Sequence, residues 1–263
     1  MHPNLLAYES YEQFSSTEAE NEYKKKKLAG VNCQTDFVCQ KLDKVLKVLE
    51  IGSGNSKFLF SLQKRGALDV GYGVEISESR IDFANQWKEE LEIDNVHNVY
   101  SNILDMDISI LPKFDLIYCV DLAFQFIDPL SSGSDSILLS RLYDQLAPGG
   151  SIILELDTHK RIQEKMIDGE LKTWQEFPQH DPWKYALWDC SEDGDAVRIS
   201  KTFIKRDMSE ISESEVILKN YSRDDMMSLL KDAGFSSIDI FEEWSTDSST
   251  LDDEFIIMGY RKE

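Results

Sequence analysis

The run Val48-Leu49-Glu50-Ile51-Gly52-Ser53-Gly54-Asn55-Ser56 constrains the fold of this chain more tightly than any other stretch. Val45-Leu46-Lys47-Val48-Leu49 is nearly continuous in aliphatic residues, as a parallel strand covered on both faces must be. Two glycines one residue apart then let the backbone bend sharply and lie against a ligand with no Cβ between. Lys57-Phe58-Leu59-Phe60-Ser61-Leu62 has helical spacing, so the loop opens a helix. Strand, tight glycine loop and helix in that order predict a small-molecule crevice in an open α/β sheet.

The alternation continues. Helices are expected over residues 8–28, carrying Tyr8, Tyr11, Phe14 and Tyr23, and over 32–42, with Phe37 and Val38 facing inward. After the helix that Gly66 stops come a strand at 70–75, a helix capped by Ser77, and strands at 96–101 and 114–120. A helix over 136–146 ends at Ala147-Pro148-Gly149-Gly150, a stop-and-turn signal before a fifth strand at 151–156. The rhythm then breaks. Residues 158–220 contain alternating runs such as Ala196-Val197-Arg198-Ile199-Ser200-Lys201-Thr202-Phe203-Ile204, which predict an antiparallel meander. A capping box from Ser222 to Asp225 restores the helix, and two closing strands follow at 237–244 and 254–260.

Composition sets the limits. A chain of 263 residues with 41% apolar content can bury a substantial core and is not disordered as a whole. Its net charge of −21 repels phosphate backbones, which argues against non-specific nucleic-acid binding. The basic run Lys24 to Lys27 is expected to be a solvated helix face. The four cysteines form no Cys-x-x-Cys pair and have no histidine at zinc-ligand spacing, so no metal site is expected, and Cys119 reads as core. Met1-His2-Pro3-Asn4-Leu5-Leu6 lacks the basic start and long apolar stretch of a secretory signal, and no apolar run is long enough to span a bilayer. The expectation is a cytoplasmic protein with neither membrane nor nucleic acid as partner, its oligomeric state open.

The glycine loop excludes two familiar nucleotide sites. A Gly-x-Gly-x-x-Gly fingerprint would need a third glycine where Lys57 stands, and no Gly-x-x-x-x-Gly-Lys-Ser/Thr is present. What remains is an acid, Glu50, before Gly52-Ser53-Gly54, and a second acid, Glu75, at the tip of the next strand. Twenty-one positions separate Gly54 from Glu75, the interval at which such folds place a ribose-binding carboxylate. A carboxylate suits that role because it accepts hydrogen bonds from both hydroxyls.

With these elements the chain resembles the S-adenosylmethionine-dependent methyltransferases of the Rossmann-like class. The resemblance runs through Leu49 to Ser56, Gly73-Val74-Glu75, Asn102-Ile103-Leu104-Asp105, Phe114-Asp115-Leu116-Ile117 and Leu146-Ala147-Pro148-Gly149-Gly150, in the family's order. It implies a seven-stranded mixed sheet flanked by helices and S-adenosylmethionine as cofactor. Glu50 would fix the loop or reach the methionine ammonium through water, with the Gly52, Ser53 and Gly54 backbone along that moiety. Glu75 would hold the ribose, and Ile76 would lie against the adenine. Asn102, followed by Ile103, stands where an aspartate often meets the adenine amine, and Asp105 is the rival for that contact. Val120 and Asp121 would face the methionine end.

Methyl transfer is an in-line displacement that mainly needs alignment and a dry site. If the acceptor must lose a proton, Asp121, His159 and His180 are the candidate bases. Tyr11, Phe124 and Trp183 are the candidate aromatic walls for a cationic group. The resemblance extends to small-molecule enzymes with an insertion after strand five. It implies a helical lid at 1–44, a cofactor-binding body at 45–157 and 221–263, and an antiparallel β insertion at 158–220 over the acceptor. The function implied is methyl transfer to a nitrogen, oxygen or carbon of a small metabolite. Two alternatives stay open: a non-catalytic cofactor-binding sensor or partner subunit, and a different group transfer from the same cofactor.

Overall fold

A computed structural model of the chain describes residues 4, 14, 16–177, 179, 183–242, 244 and 255–262. The first half alternates: α1 (Thr17–Gly30), α2 (Asn32–Lys41), β1 (Leu46–Ile51), α3 (Lys57–Lys64), β2 (Leu68–Glu75), α4 (Glu78–Glu90), β3 (Val96–Tyr100) and β4 (Phe114–Cys119). A 3₁₀ turn at Ala123–Phe126 leads into α5 (Ile127–Leu130), α6 (Ser134–Gln145) and β5 (Leu146–Leu156). The short α7 (Lys160–Gln163) precedes four consecutive strands, β6 (Glu170–Glu176), β7 (Trp183–Asp193), β8 (Ala196–Lys205) and β9 (Ile211–Lys219). The chain closes with α8 (Arg223–Asp232), β10 (Ser237–Phe241) and β11 (Phe255–Tyr260).

Two sheets result. One has seven strands in the order β3-β2-β1-β4-β5-β11-β10, and the other has four in sequence order, β6 to β9. β1 to β5 are mutually parallel, whereas β11 runs antiparallel to both β5 and β10. The strand order reverses between β1 and β4, paired from Val48↔Leu116 to Ile51↔Cys119. That is the switch point at which open α/β sheets form their ligand crevice.

The apolar runs explain the layers. Along β1, Leu49 and Ile51 point into one cluster with Ile117, Leu154, Leu142 and Met226, while Leu46 and Val48 point into another with Leu116, Phe58, Leu59 and Trp87. Alternation by two thus buries both faces of one strand under helices. The capping box expected at α8 is formed, with Ser222 and Asp225 satisfying each other's backbone donors. No helix among the described residues is long and apolar enough to cross a membrane.

Three expectations change in detail. β5 begins at Leu146, not Ser151: Leu146 pairs with Phe114 and Ser151 with Leu116, so Ala147 to Gly150 loop out as a bulge within the strand. The helix that carries Tyr23 and the lysine run spans Thr17–Gly30, and at its start the Ser16 hydroxyl accepts from the Ala19 N–H; residues 5–13 lie outside those described. The lysine run is not uniformly solvated, since Lys24 is 6% exposed, packs on the Phe83 ring and pairs with Glu90 at 2.7 Å.

Candidate functional site

The loop after β1 is built from left-handed residues. Gly52 (φ 68°), Gly54 (φ 54°) and Ser56 (φ 58°) wind the chain into the start of α3. A Cβ on Gly52 would lie 2.7 Å from that of Ala123, so this position excludes side chains twice over, by conformation and by space. Gly52 and Ser53 both donate to the Val74 carbonyl, at 2.9 and 3.2 Å. The Glu75 carboxylate completes the brace, accepting from Gly54 N–H at 2.8 Å, Ile76 N–H at 2.8 Å and Ser77 N–H at 3.0 Å. Glu75 therefore ties the glycine loop to the tip of β2.

A cavity of about 470 Å³ opens over these strand ends. Glu50, Gly52, Ser53, Gly54, Glu75, Ile76, Asn102, Ile103, Val120 and Asp121 line one side. Phe126, Phe177, Trp183, Lys201, Phe203 and Ser214 face them, and Asn4, Tyr23, Lys27 and Arg80 complete the wall. Glu50 is 4% exposed, and its Oε2 has no hydrogen-bond partner. Burial pushes its carboxyl well above the usual carboxylate range; the Lys57 ammonium opposes that, and the Asp121 and Glu75 charges add to it. Asp121 (φ 52°) and Leu122 (φ 64°) form a turn that bulky L-residues rarely adopt. Glu155 holds that turn by accepting from Asp121 N–H at 2.9 Å, and Lys57 pairs with the Asp121 carboxylate at 3.0 Å.

A methyltransferase domain model matches residues 42–234, most of the chain, including the glycine loop, the Asp121 turn and the four-stranded sheet. The chain belongs to the methyltransferase domain family. Its seven-stranded sheet, with the order reversing between β1 and β4, is Rossmann-like.

Solved structures share the fold. An S-adenosylmethionine-dependent methyltransferase from Clostridium acetobutylicum superposes with a TM-score of 0.73 at 16% identity, covering 94% of this chain and 100% of that one. An S-adenosylmethionine-bound amino pentose methyltransferase from Micromonospora echinaspora gives 0.67 at 16%, covering 96% and 100%. In sequence, a tRNA (guanine-N(7)-)-methyltransferase from Synechococcus sp. (strain JA-3-3Ab) is 32% identical over 127 residues, which is 46% of this chain. The match spans about half, 52%, of that relative's length.

Several sequence-predicted residues of the methyltransferase stand away from the cavity. Phe124 is fully buried against Tyr221, with ring centroids 5.6 Å apart, and belongs to the core; Phe126, two positions on, lines the cavity instead. The 3₁₀ turn explains the exchange, because it sends these neighbours to different sides. His159 is 1% exposed and lies inside the junction between the sheets, its Nε2 3.2 Å from Gln125 Nε2. Asp105 does not line the cavity and instead accepts from Asn102 Nδ2 at 3.0 Å, orienting the side chain that does. Tyr11 and His180 lie outside the described residues.

Trp183 reaches the cavity through an irregularity. Trp183 pairs with Lys205 but Tyr185 with Ile204, so Lys184 is an extra residue and Trp183 shifts to the inner face of the sheet. It packs on Phe203 at 5.6 Å, and Phe203 also stacks with Phe177 at 6.3 Å. Sequence reasoning missed Lys201, Arg80, Phe126, Tyr23 and Lys27. For Lys201 a signal existed: it occupies an apolar slot in the run Val197, Ile199, Lys201, Phe203, the inward face of β8.

Proposed function

We propose that this methyltransferase moves the methyl group of S-adenosylmethionine to a nitrogen, oxygen or carbon atom of a small metabolite held beneath the four-stranded sheet. The observation that carries the reading is Glu50. A carboxylate buried at the switch point with an oxygen that finds no donor is what a ligand ammonium requires. When bound, the cofactor supplies an electrophilic methyl carbon on a cationic sulfur, which leaves alignment and exclusion of water to the protein.

The roles follow from position. Glu75 would accept from the ribose hydroxyls with the lone pairs its three backbone donors leave over. Ile76 and Ile103 would flank the base, Asn102 would meet its amine, and the Gly52, Ser53 and Gly54 backbone would lie along the methionine end. Of the three candidate bases, Asp121 stands at the cavity and would take the acceptor's proton where one must leave. Residues 158–220 and the N-terminal segment would form the cover over a body made of 45–157 and 221–263. Phe177, Trp183 and Phe203 on the cavity, and Asn4 donating to the Ile217 carbonyl at 2.8 Å, support that division. The net charge of −21 and the roofed cavity favour a small acceptor over a tRNA.

Calorimetry with S-adenosylmethionine and its demethylated product tests the proposal. Saturable binding of either, with release of the demethylated product when a metabolite extract is added, supports it. Binding of neither at millimolar concentration contradicts it. Binding without turnover on any metabolite pool favours the sensor alternative, and labelling of total tRNA in place of metabolites favours the nucleic-acid acceptor.

A further inference from the structure

We propose that Lys201, with Arg80 across the cavity, forms an anion site that holds a carboxylate or phosphate group of the methyl acceptor. The inference rests on the reading above, in which the cofactor takes the strand-end side of the cavity. It adds what that reading leaves open, the charge of the acceptor.

Lys201 sits in the middle of β8 on the face turned toward the seven-stranded sheet. Its cross-strand neighbours are Trp188 on β7 and Ser214 on β9. Its ammonium lies 4.7 Å from the centroid of the Trp188 ring, and Lys201 and Ser214 both line the cavity. No carboxylate among the described residues pairs with it. None of the cavity's acids, Glu50, Glu75 and Asp121, pairs with it: Glu50 is buried at the end of β1, Glu75 accepts from three backbone N–H groups, and Asp121 pairs with Lys57. Burial pushes the Lys201 ammonium down from its ordinary value; the Cys190 thiol opposes this, and the Arg80 guanidinium adds to it. Lys201 and Arg80 line the same cavity, so the two cations border one space. In a chain carrying 49 acids and only 28 lysines and arginines, such a pair beside a cavity is not explained by an excess of basic residues.

Buried charges in proteins are paired, and a lysine that lacks a partner in the folded chain finds it in a ligand. An anionic group between Lys201 and Arg80 would relieve both the desolvation of the ammonium and the repulsion between the cations. A guanidinium fork and an ammonium together suit a planar carboxylate or a phosphate. The Ser214 hydroxyl, next to Lys201 on the adjoining strand, supplies a neutral donor. Held there, the acceptor would present its far end toward Val120 and Asp121 at the strand ends.

The test uses the full chain saturated with the demethylated cofactor. Acetate, succinate, inorganic phosphate and pyrophosphate are titrated at constant ionic strength in chloride, with binding followed by the fluorescence of Trp183 and Trp188. Saturable binding of one class is expected, carboxylates or phosphates, and the class that binds identifies the group. Lys201→Met is expected to weaken that binding about tenfold or more, as for a lost hydrogen bond between charged groups, while Lys201→Arg retains it. Affinity for the demethylated cofactor should stay within about twofold in both variants. The inference is overturned if no anion binds the complex, or if Lys201→Met leaves anion affinity unchanged. It is equally overturned if cofactor affinity falls together with anion affinity, because Lys201 would then serve the cofactor's own carboxylate. If the wild-type chain does not bind the demethylated cofactor, the cofactor reading falls instead, and the same titrations on the free protein decide the anion site alone.

Discussion

Glu50→Gln should raise the stability of the ligand-free protein and lower its affinity for the cofactor, two effects of opposite sign from one atom. Glu50 is 4% exposed with Oε2 unpartnered, and its carboxyl is pushed well above the usual carboxylate range, chiefly by burial. Because the folded-state value exceeds the unfolded one, folding takes up a proton at this group. Stability is then fully present below the unfolded value, about pH 4.3, and declines as the pH rises toward the folded one. Glutamine keeps the volume and removes the charge. At about pH 8 the variant should gain on the order of 1 kcal/mol, which for a chain of this size raises Tm by about 2–4 °C. The gain should shrink as the pH is lowered toward the unfolded value, because there the unfolded wild-type chain is protonated as well. With an ammonium as its partner, the lost charge should cost about 1.5–3 kcal/mol of binding to the demethylated cofactor, roughly tenfold to a hundredfold in Kd. Differential scanning fluorimetry across pH and calorimetry at about pH 8 read the two effects. A variant that melts lower than wild type at alkaline pH, or binds the cofactor equally well, would refute the reasoning.

Other substitutions probe the rest of the site. Glu75→Ala removes the acceptor of three backbone donors as well as the proposed ribose partner. It should weaken binding of the demethylated cofactor by about 1.5–3 kcal/mol and also lower Tm, whereas an unchanged Kd would mean the ribose lies elsewhere. Gly52→Ala meets the Ala123 Cβ at a left-handed position, so a loss of about 1–2 kcal/mol in stability and of most cofactor binding is expected; a variant that binds normally contradicts the loop's role. His159→Ala should destabilise the fold by about 1–3 kcal/mol with cofactor affinity intact, as for a buried polar group in a junction, and a selective loss of turnover without loss of Tm would restore it as a base.

The parts of the fold that could be read in advance are those where one residue pattern has one structural solution. Val48, Leu116 and Ile153 sit in runs so apolar that only a doubly covered strand accommodates them, and Gly52 and Gly54 permit a loop that other residues would block. The same holds for the strand-end side of the cavity, where Glu50, Glu75 and Asn102 lie at or beside strand tips fixed by the sheet. The side formed by the four-stranded sheet was harder because its residues depend on register. Trp183 faces inward only because Lys184 is an extra residue in β7, and the exchange of Phe124 for Phe126 turns on a single 3₁₀ turn. His159 offered a chemically suggestive side chain in a loop, and nothing local to it shows that Gln125, thirty-four positions earlier, closes over it. Lys201 was legible in principle, as a charge in an apolar slot, but its meaning needed Arg80 from a distant helix beside the same cavity.

The most direct measurement is a crystal structure of the chain with the demethylated cofactor. The nucleoside should lie between Glu75 and Ile76, and the amino-acid ammonium should lie within hydrogen-bond reach of Glu50 or of a water it holds. Density for that molecule outside the β1–β4 crevice, or bound there with Glu50 and Glu75 both untouched, would contradict the proposed site.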